Sequence, residues 1–374
     1  MPPGIHEAGP VEVPAAVPPR TVTPARLRKA ALTVALVLGA VVVALPSPVR
    51  PGPAPRGGEP AGLGDVWPHA RPVELRGNLD GGAPYTPMVV GSGTSVGVSP
   101  SADGTQVRLM FLPEGGPPRV VRALPADRSP RFVGVTATAA GLVWAETFET
   151  ETTGTGEIWR AGPDGTGPAP VTADTGRMVV FGAQGDLVVH DATVSWAASV
   201  PGPATEIRSV ALAGGAVHRT TLPGRYSLAA WPWAVSAAVE QPGSTDLVDV
   251  TTLRSTPVRG EATEILDCGP VWCRVRVLRQ DGVARHELMR PDGGDRRRLA
   301  AGDLRPALRD VALLDRFEIL LGTTDVYVYD TTRRRLVRVA GPVGTVLGHG
   351  AALWWSTGDN DRLTWHVLDL GALD

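Results

Sequence analysis

The feature that most constrains the fold of this chain is a recurring pair of short β-type runs joined by a tight turn. The clearest copies begin at Glu157 and His286, and weaker copies begin at Ile207 and Val326. The copies return at intervals of about 40 residues, a spacing typical of repeated β units. Asp-Gly pairs at 164–165 and 292–293 predict two-residue hairpin turns, because both central residues of such a turn need positive φ. The chain from residue 72 onward is therefore expected to be a repeated all-β structure.

Composition agrees with many short elements joined by turns. The 374 residues include 45 Gly and 36 Pro, which disfavours long helices. Hydrophobic residues make up 43% of the chain, enough for a substantial core and too many for a disordered protein. The 36 basic and 38 acidic residues nearly cancel, which argues against a dedicated nucleic-acid binder.

The repeats resemble those of TolB-like bacterial β-propellers (WD40-like or PD40 repeats), whose blades carry a Ser-Pro-Asp-Gly turn and a later Asp-Gly hairpin. Ser99–Thr105 resembles the first element with two residues inserted. Pro163–Gly165 and Pro291–Gly293 resemble the second. The resemblance implies an extracytoplasmic propeller of six or seven blades that interacts with other proteins, and it implies no catalytic residues.

Seven repeat units follow from the strand pattern, although six or eight blades stay open. Their expected bounds are 87–130, 131–176, 177–224, 226–260, 263–302, 306–341 and 344–374. The last unit has only three strands of its own. Val73–Arg76 can supply the fourth, so that an N-terminal outer strand closes the ring and leaves no large open sheet edge.

The N-terminus predicts export. Residues 1–29 form a basic, cytoplasmic segment, and residues 30–45 form an uncharged apolar run of 16 residues. Such a run spans about 24 Å as a helix, so a transmembrane signal anchor and a cleaved signal peptide both fit, and a buried core helix is a third alternative. The basic flank places the following residues outside the membrane. We expect a single-pass cell-membrane protein, or a secreted one if the signal is cleaved.

A Pro/Gly-rich segment, 46–71, separates this helix from the propeller at 72–374 and predicts a semi-extended stalk without strands or helices. Trp67 stands alone in the stalk and is a candidate for fastening it to the ring. The other tryptophans fall on or beside expected strands, where they either pack between blades or form a platform for sugar stacking.

The two cysteines, Cys268 and Cys273, lie in a strand–turn–strand segment outside the membrane. Four intervening residues allow bridging across a hairpin, and an oxidising compartment favours a structural disulfide. A redox-active pair is the alternative, but the spacing is not Cys-x-x-Cys.

Catalytic motifs are weak. Gly93–Gly97 matches the nucleophile-elbow pattern, but β-type residues follow it where a helix would be required. His286-Glu287 begins a zinc-protease motif, but position 290 is Arg, so the second ligand is missing. We therefore expect no enzyme, no cofactor and no metal site.

Loop charge suggests two surfaces. In a propeller, the loops from second to third strand share one face, here called the upper face. Every unit contributes an acid there, which indicates either ordinary polar turns or an acidic rim that attracts a cation or a basic partner. The candidate rim residues are Asp103, Glu149, Glu151, Glu206, Asp246, Asp281, Asp325, Asp359 and Asp361.

Two arginine triplets fall in loops from third to fourth strand, on the opposite, lower face. They indicate either solvated turn residues or a basic patch facing an anionic membrane. The residues are Arg296, Arg297, Arg298, Arg333, Arg334 and Arg335.

The expected function is a membrane-tethered binding or scaffold module whose partner is a cell-envelope protein or polymer. The alternative is a propeller enzyme, a lyase or glycoside hydrolase, with carboxylates at the channel mouth. Such an enzyme needs two convergent carboxylates with separated pKa values.

Overall fold

A computed structural model describes residues 60–91, 93–148, 155–236, 242–301 and 303–374. The segments expected to be cytoplasmic and transmembrane lie outside these residues. No helix in the described part of the chain is both long enough and apolar enough to cross a bilayer.

The described residues form a seven-bladed β-propeller, as expected. Two strands, β1 (Ala61–Gly62) and β2 (Val73–Arg76), flank a short helix α1 (Leu63–Val66) before the first blade. Blade 1 contains β3 (Thr86–Gly91), β4 (Thr94–Pro100), β5 (Gln106–Pro113) and β6 (Arg119–Pro125). Blade 2 contains β7 (Pro130–Thr138), β8 (Gly141–Phe148), β9 (Thr155–Ala161) and β10 (Ala169–Thr172). Blade 3 contains β11 (Arg177–Met178), β12 (Val188–His190), β13 (Thr193–Ser199), β14 (Ala204–Ala211) and β15 (His218–Pro223).

Blades 4 to 7 follow in chain order, each a sheet of sequential antiparallel strands. They contain β16 Tyr226–Ala230, β17 Trp233–Ser236, β18 Thr245–Asp249, β19 Arg254–Val258; β20 Glu264–Cys268, β21 Cys273–Arg279, β22 Gly282–Met289, β23 Arg297–Ala301; β24 Arg305–Pro306, β25 Phe317–Leu321, β26 Val326–Asp330, β27 Arg335–Ala340; β28 Val346–His349, β29 Ala352–Thr357 and β30 Thr364–Asp369. Single turns of 3₁₀ helix lie at Asp80–Gly82, Ala126–Arg128 and Gln184–Asp186.

The ring closes as the sequence predicts. Strand β2 pairs antiparallel with β30 at the outer edge of blade 7, with Val73 opposite Val367 and Leu75 opposite Trp365. Blade 7 therefore takes three strands from the C-terminus and one from the N-terminus, which ties the two ends of the ring together.

The last part of the expected stalk differs from the expectation. Strand β1 pairs in parallel with β27 on blade 6, and α1 follows directly. The Trp67 side chain is only 4% exposed and packs edge-on against Phe317, with ring centroids 6.3 Å apart. Burial of the large apolar Trp67 side chain is favourable. Residues from Pro60 onward therefore pack on blades 6 and 7 instead of extending into solvent. Residues 46–59 lie outside the described part of the chain.

The Asp-Gly turns also differ from the two-residue hairpins expected. In three repeats the N–H of a glycine bonds to the carbonyl three residues earlier: Gly104 to Ser101, Gly165 to Gly162 and Gly293 to Arg290. Each of these glycines has positive φ, whereas the preceding aspartate does not. The aspartate instead accepts a hydrogen bond from the backbone two residues on, an Asx turn, at 3.1 Å for Asp103 and 3.2 Å for Asp164.

Buried tryptophans join neighbouring blades. Trp144, Trp196 and Trp354 lie on the second strands of blades 2, 3 and 7 and are almost fully buried. The Trp196 indole N–H donates to the carbonyl of Thr175 at 2.8 Å, in the connection from blade 2. The Trp354 indole N–H donates to the carbonyl of Pro87 at 3.2 Å, across the seam between blades 7 and 1. Each ring thus fills an inter-blade space while its polar atom is satisfied.

Candidate functional site: the axial cavity

Two blades depart from a regular innermost strand, and these departures shape the centre of the ring. In blade 3, residues 179–187 interrupt the inner strand between β11 and β12; we call them the blade 3 insert. In blade 6, the inner strand β24 has only two residues, and residues 307–316 connect it to β25; we call them the blade 6 connection. These irregular segments meet near the axis.

Asp186 organises the blade 3 insert. Its carboxylate accepts hydrogen bonds from the backbone N–H groups of Phe181 at 2.9 Å, Gly182 at 2.7 Å and Ala183 at 3.1 Å. Burial raises the pKa of Asp186, and these three bonds oppose the rise. The insert is thus wrapped around one buried carboxylate, whose oxygens are occupied by the protein itself.

Asp310 links the two irregular segments. The backbone N–H of Gln184 donates to its carboxylate oxygens at 3.1 and 3.3 Å. The Gln184 side-chain oxygen accepts a bond from the N–H of Gly350 at 2.8 Å, so blades 3, 6 and 7 meet here. Burial raises the pKa of Asp310, the Gln184 bond opposes the rise, and the negative charge of Asp186 adds to it.

The blade 6 connection is held by bonds from blades 5 and 6. Arg274 donates to the Asp310 carbonyl at 2.8 Å, and Trp272 donates to the Asp315 carbonyl at 2.8 Å. The N–H of Ala312 donates to Glu318 at 2.9 Å. Ala312, Leu314 and Asp315 have φ of +49°, +55° and +54°, a conformation that costs about 1–2 kcal/mol for each non-glycine residue. The bonds offset this strain and keep the connection in one shape.

A cavity of about 530 Å³ lies between these segments and the inner strands of the ring. It falls in the size range of small-molecule sites. Gln184, Trp231, Asp310 and His349 contribute to its lining. Burial lowers the pKa of His349, which keeps the imidazole neutral.

The Trp231 ring forms part of the cavity wall and is stacked on a histidine. The His190 imidazole lies parallel to the Trp231 indole, with ring centroids 3.8 Å apart and an interplanar angle of 9°. The Nε2 of His190 lies 3.1 Å from the Ser195 hydroxyl, which fixes the position of the imidazole. One face of the indole is therefore covered, and its orientation is set by blade 3.

The predicted disulfide is confirmed. Cys268 and Cys273 are bonded and stand opposite each other at the end of the β20–β21 hairpin, with Cα atoms 4.0 Å apart. Cys268 also contributes to the cavity wall. The bond therefore anchors one side of the axial cavity.

The predicted acidic rim residues do not converge on one site. Glu206 forms an ion pair with Arg208 at 2.6 Å, and Asp325 forms one with Arg338 at 2.6 Å. Asp103 is held in its own turn by Ser101 and Thr105, whose bonds lower the pKa of the carboxyl to about 2. Among the described residues, no three His, Cys, Asp or Glu side chains are arranged to hold a metal ion. Of the other described rim residues, Asp246 lies in blade 4, Asp281 in blade 5, and Asp359 and Asp361 in blade 7. Glu149 and Glu151 lie outside the described residues.

Most of the predicted basic patch is paired with carboxylates. Arg296 bonds to Glu264 and Glu287, and Arg297 bonds to Asp295. Arg333 lies 3.3 Å from the buried Asp330, and Arg334 lies 3.7 Å from Asp295. Arg298 and Arg335 are exposed. The partner carboxylates offset part of the positive charge of this patch, and they are shared with Arg285, Arg290 and Arg316.

The two weak motifs lie on strands. Ser95 is on β4, buried, and accepts a hydrogen bond from the Tyr85 hydroxyl at 3.0 Å. His286 is on β22 and is 2% exposed. Ser95 therefore does not stand on the strand-to-helix turn that a nucleophile elbow requires.

Sequence reasoning missed the residues around the axis: Gln184, Asp186, Asp310 and His349. The available signal was the loss of β alternation in 179–187 and 307–316, within units that otherwise read as four strands. That loss marks an irregular inner strand, but it does not reveal that the two irregular segments face each other.

The sequence matches no protein-family model and no curated protein. Solved structures share the fold. An oligogalacturonate lyase in complex with manganese aligns with a TM-score of 0.52 and 10% identity, over 80% of this chain and 96% of that chain. An oligogalacturonate lyase from Vibrio parahaemolyticus aligns with a TM-score of 0.49 and 6% identity, over 80% and 97%. The β-propeller domain of the Trilobed protease from Pyrococcus furiosus aligns at 0.41 and 8%, over 62% and 78%. At 10% identity, the similarity to the oligogalacturonate lyase in complex with manganese shows the propeller fold alone.

Proposed function

We propose that this chain is a membrane-tethered binding module of the cell envelope, and that its propeller holds a group of its ligand in the axial cavity. The observation that carries the proposal is the convergence of Gln184, Asp310 and Gly350 from three blades beside a cavity of about 530 Å³. A rigid, partly apolar cavity with a few fixed polar groups is the usual form of a ligand site.

The arrangement favours binding over two-carboxylate catalysis. Asp267, Asp310 and Asp315 contribute to the cavity wall, but Asp267 pairs with Arg276 at 3.4 Å and Asp315 is exposed. Asp186, whose negative charge raises the pKa of Asp310, is not part of the wall. Three backbone N–H groups occupy the Asp186 oxygens, so this group has no role as a partner acid or base toward a ligand.

Export supports the envelope location. The apolar run 30–45 with its basic flank is typical of a signal anchor, and the Cys268–Cys273 bond suits an oxidising compartment. The lower face with Arg298 and Arg335 exposed is proposed to lie toward the anionic membrane surface, since β2 enters blade 7 from that face. The acidic residues of the upper face are proposed to attract basic partners.

The test is capture of envelope components by the purified full chain in detergent. Ser227 lies on β16 and contributes to the cavity wall, so Ser227→Trp should fill the cavity. Thr221→Trp places the same side chain at an exposed position of the outer strand β15 and serves as the control. We expect the wild type and the control to retain the same component and Ser227→Trp to lose it. Equal capture by all three proteins would refute a role for the cavity.

A second candidate is a lyase or glycoside hydrolase, and the observation that favours it is the Asp310 carboxyl, with its raised pKa, in the cavity wall. In that case the captured polymer should be cleaved by the wild type and left intact by Asp310→Asn. Product formation that is the same in both proteins would exclude Asp310 as the acid.

A further inference from the structure

We propose that the axial cavity recognises a protonated amine, an inference that rests on the proposed ligand-binding role of the cavity. The amine is either that of a small molecule or the side chain of a lysine in a partner protein; both present the same ammonium group.

The Asp310 carboxylate can accept more hydrogen bonds than the protein gives it. An ionised carboxylate offers about four acceptor sites. The Asp310 carboxylate accepts the N–H of Gln184, shared between its two oxygens, and the N–H of its own backbone. Arg274 donates to the Asp310 backbone carbonyl, and its charge lowers the pKa of the Asp310 carboxyl. Asp310 is partly exposed and lines the cavity, so its remaining acceptor sites are accessible to donors of a bound ligand.

Acidic side chains outnumber basic ones in the lining of the cavity. Of the described residues that line it, Asp267, Asp310 and Asp315 are acidic and Arg309 is basic. Arg309 is exposed, Arg274 pairs with Glu318, and Arg276 lies 3.4 Å from Asp267 and offsets its charge. The negative charge that favours a cation over an anion therefore comes from Asp310 and Asp315.

Two neutral rings of the cavity wall also suit an ammonium group. The His349 imidazole has a lowered pKa because of burial, so it adds no positive charge and offers an acceptor nitrogen. The Trp231 indole, held in place by His190, gives the wall an aromatic surface of the kind that attracts ammonium groups. A carboxylate ligand would instead meet Asp310 and Asp315.

The test uses isothermal titration calorimetry on the full chain in detergent, with three probes of matched size: butylamine, butanol and butyrate. We expect binding of butylamine in the millimolar range and weaker binding of the other two. Asp310→Asn, which keeps an acceptor for Gln184, should weaken butylamine binding by about tenfold or more. Asp281→Asn, at an exposed turn of the upper face, should leave it unchanged.

A blocked pentapeptide with a central lysine, compared with its Nε-acetylated form, separates the two sources. If the lysine peptide binds more tightly than butylamine, the natural ligand is a lysine side chain of a partner protein. If butylamine binds more tightly, the natural ligand is a small-molecule amine. If Asp310→Asn does not fold, Trp231→Leu should weaken butylamine binding several-fold, because it removes the aromatic wall.

Two results would overturn the proposal. One is that butanol or butyrate binds as tightly as butylamine. The cavity would then bind ligands without selecting an ammonium group. The other is no heat of binding with butylamine or the lysine peptide. Failure of the proposed function itself is recognised separately, by capture of envelope components that Ser227→Trp does not change.

Discussion

Arg274 of blade 5 and Glu318 of blade 6 form a buried ion pair, with Nε of the arginine 2.5 Å from Oε1 of the glutamate. The two residues are 2% and 0% exposed. The same pair holds the blade 6 connection, because Arg274 also donates to the Asp310 carbonyl and Glu318 also accepts the N–H of Ala312. One inter-blade contact thus supports the wall of the axial cavity.

Removing one partner of the Arg274–Glu318 pair should destabilise the folded protein. Glu318→Ala removes the carboxylate that pairs with Arg274 and accepts the N–H of Ala312, so we expect a loss of about 3–5 kcal/mol in the free energy of unfolding. Urea denaturation measures it. The control is Arg219→Ala, which breaks an exposed pair with Asp174 and should cost less than about 1 kcal/mol. Equal urea midpoints for Glu318→Ala and the Arg219→Ala control would contradict a stabilising role for the Arg274–Glu318 pair.

Trp67 should stabilise the ring although it lies in a segment that the sequence predicts as a stalk. Trp67→Ala removes a buried aromatic ring from the contact with Phe317, so we expect a loss of about 3–5 kcal/mol. Val73→Ala, at a side chain that is 63% exposed, is the control and should change stability little. Thermal unfolding followed by far-UV circular dichroism distinguishes the two. A Trp67→Ala protein that melts with the wild type would show that this contact is dispensable.

Closure of the ring by β2 makes a separate prediction. Deleting residues 72–77 removes the fourth strand of blade 7 and leaves the edge of β30 without its partner. We expect a lower melting temperature for the whole propeller in a single transition, measured by calorimetry. An unchanged melting temperature would mean that closure adds nothing to stability.

The Cys268–Cys273 disulfide should make a modest contribution to the free energy of unfolding. The closed loop between Cys268 and Cys273 is short, so its loss should cost about 2 kcal/mol. Intact mass without reductant should show no free thiol, and a Cys268→Ser, Cys273→Ser variant should fold with a lower urea midpoint. Thiol labelling of the native protein without reductant would contradict the bond.

His286 should make stability depend on pH. It is 2% exposed, and burial, followed by the charges of Arg274 and Arg276, lowers its pKa to about 4. Between this value and the ordinary pKa near 6.5, the unfolded chain binds a proton that the folded chain does not. The stability that His286 provides is therefore present above about pH 6.5 and is lost as the pH falls toward 4, with a slope of up to about 1.4 kcal/mol per pH unit.

The measurement is urea unfolding from pH 7 to pH 4, comparing the wild type with His286→Gln. The raised pKa values of Asp186 and Asp310 act in the opposite direction, but they are common to both proteins, so the difference isolates His286. His218→Gln, at an exposed histidine, is the control. A difference between wild type and His286→Gln that does not change with pH would refute this prediction.

The strand pattern was enough to predict the propeller, its seven blades and its closing strand. Alternating apolar residues and Gly or Asp turns determine where strands begin and end, and the expected unit 226–260 corresponds to strands over 226–258. The Cys268–Cys273 bond was predictable for the same reason, because a hairpin brings nearby residues together. The turn types could not be predicted, because the Asp164-Gly165 pair fits more than one turn type.

The axial cavity was decided by the tertiary structure alone. Gln184 and Asp310 are 126 residues apart and belong to blades that are not neighbours, so no local pattern places them in contact. Trp67 is likewise buried by blades that follow it in the chain by hundreds of residues. Local sequence determined the strands and turns because those depend on neighbours along the chain. The cavity, the position of Trp67 and the environments that shift the pKa values of Asp310 and His286 depend on groups that come together only when the ring closes.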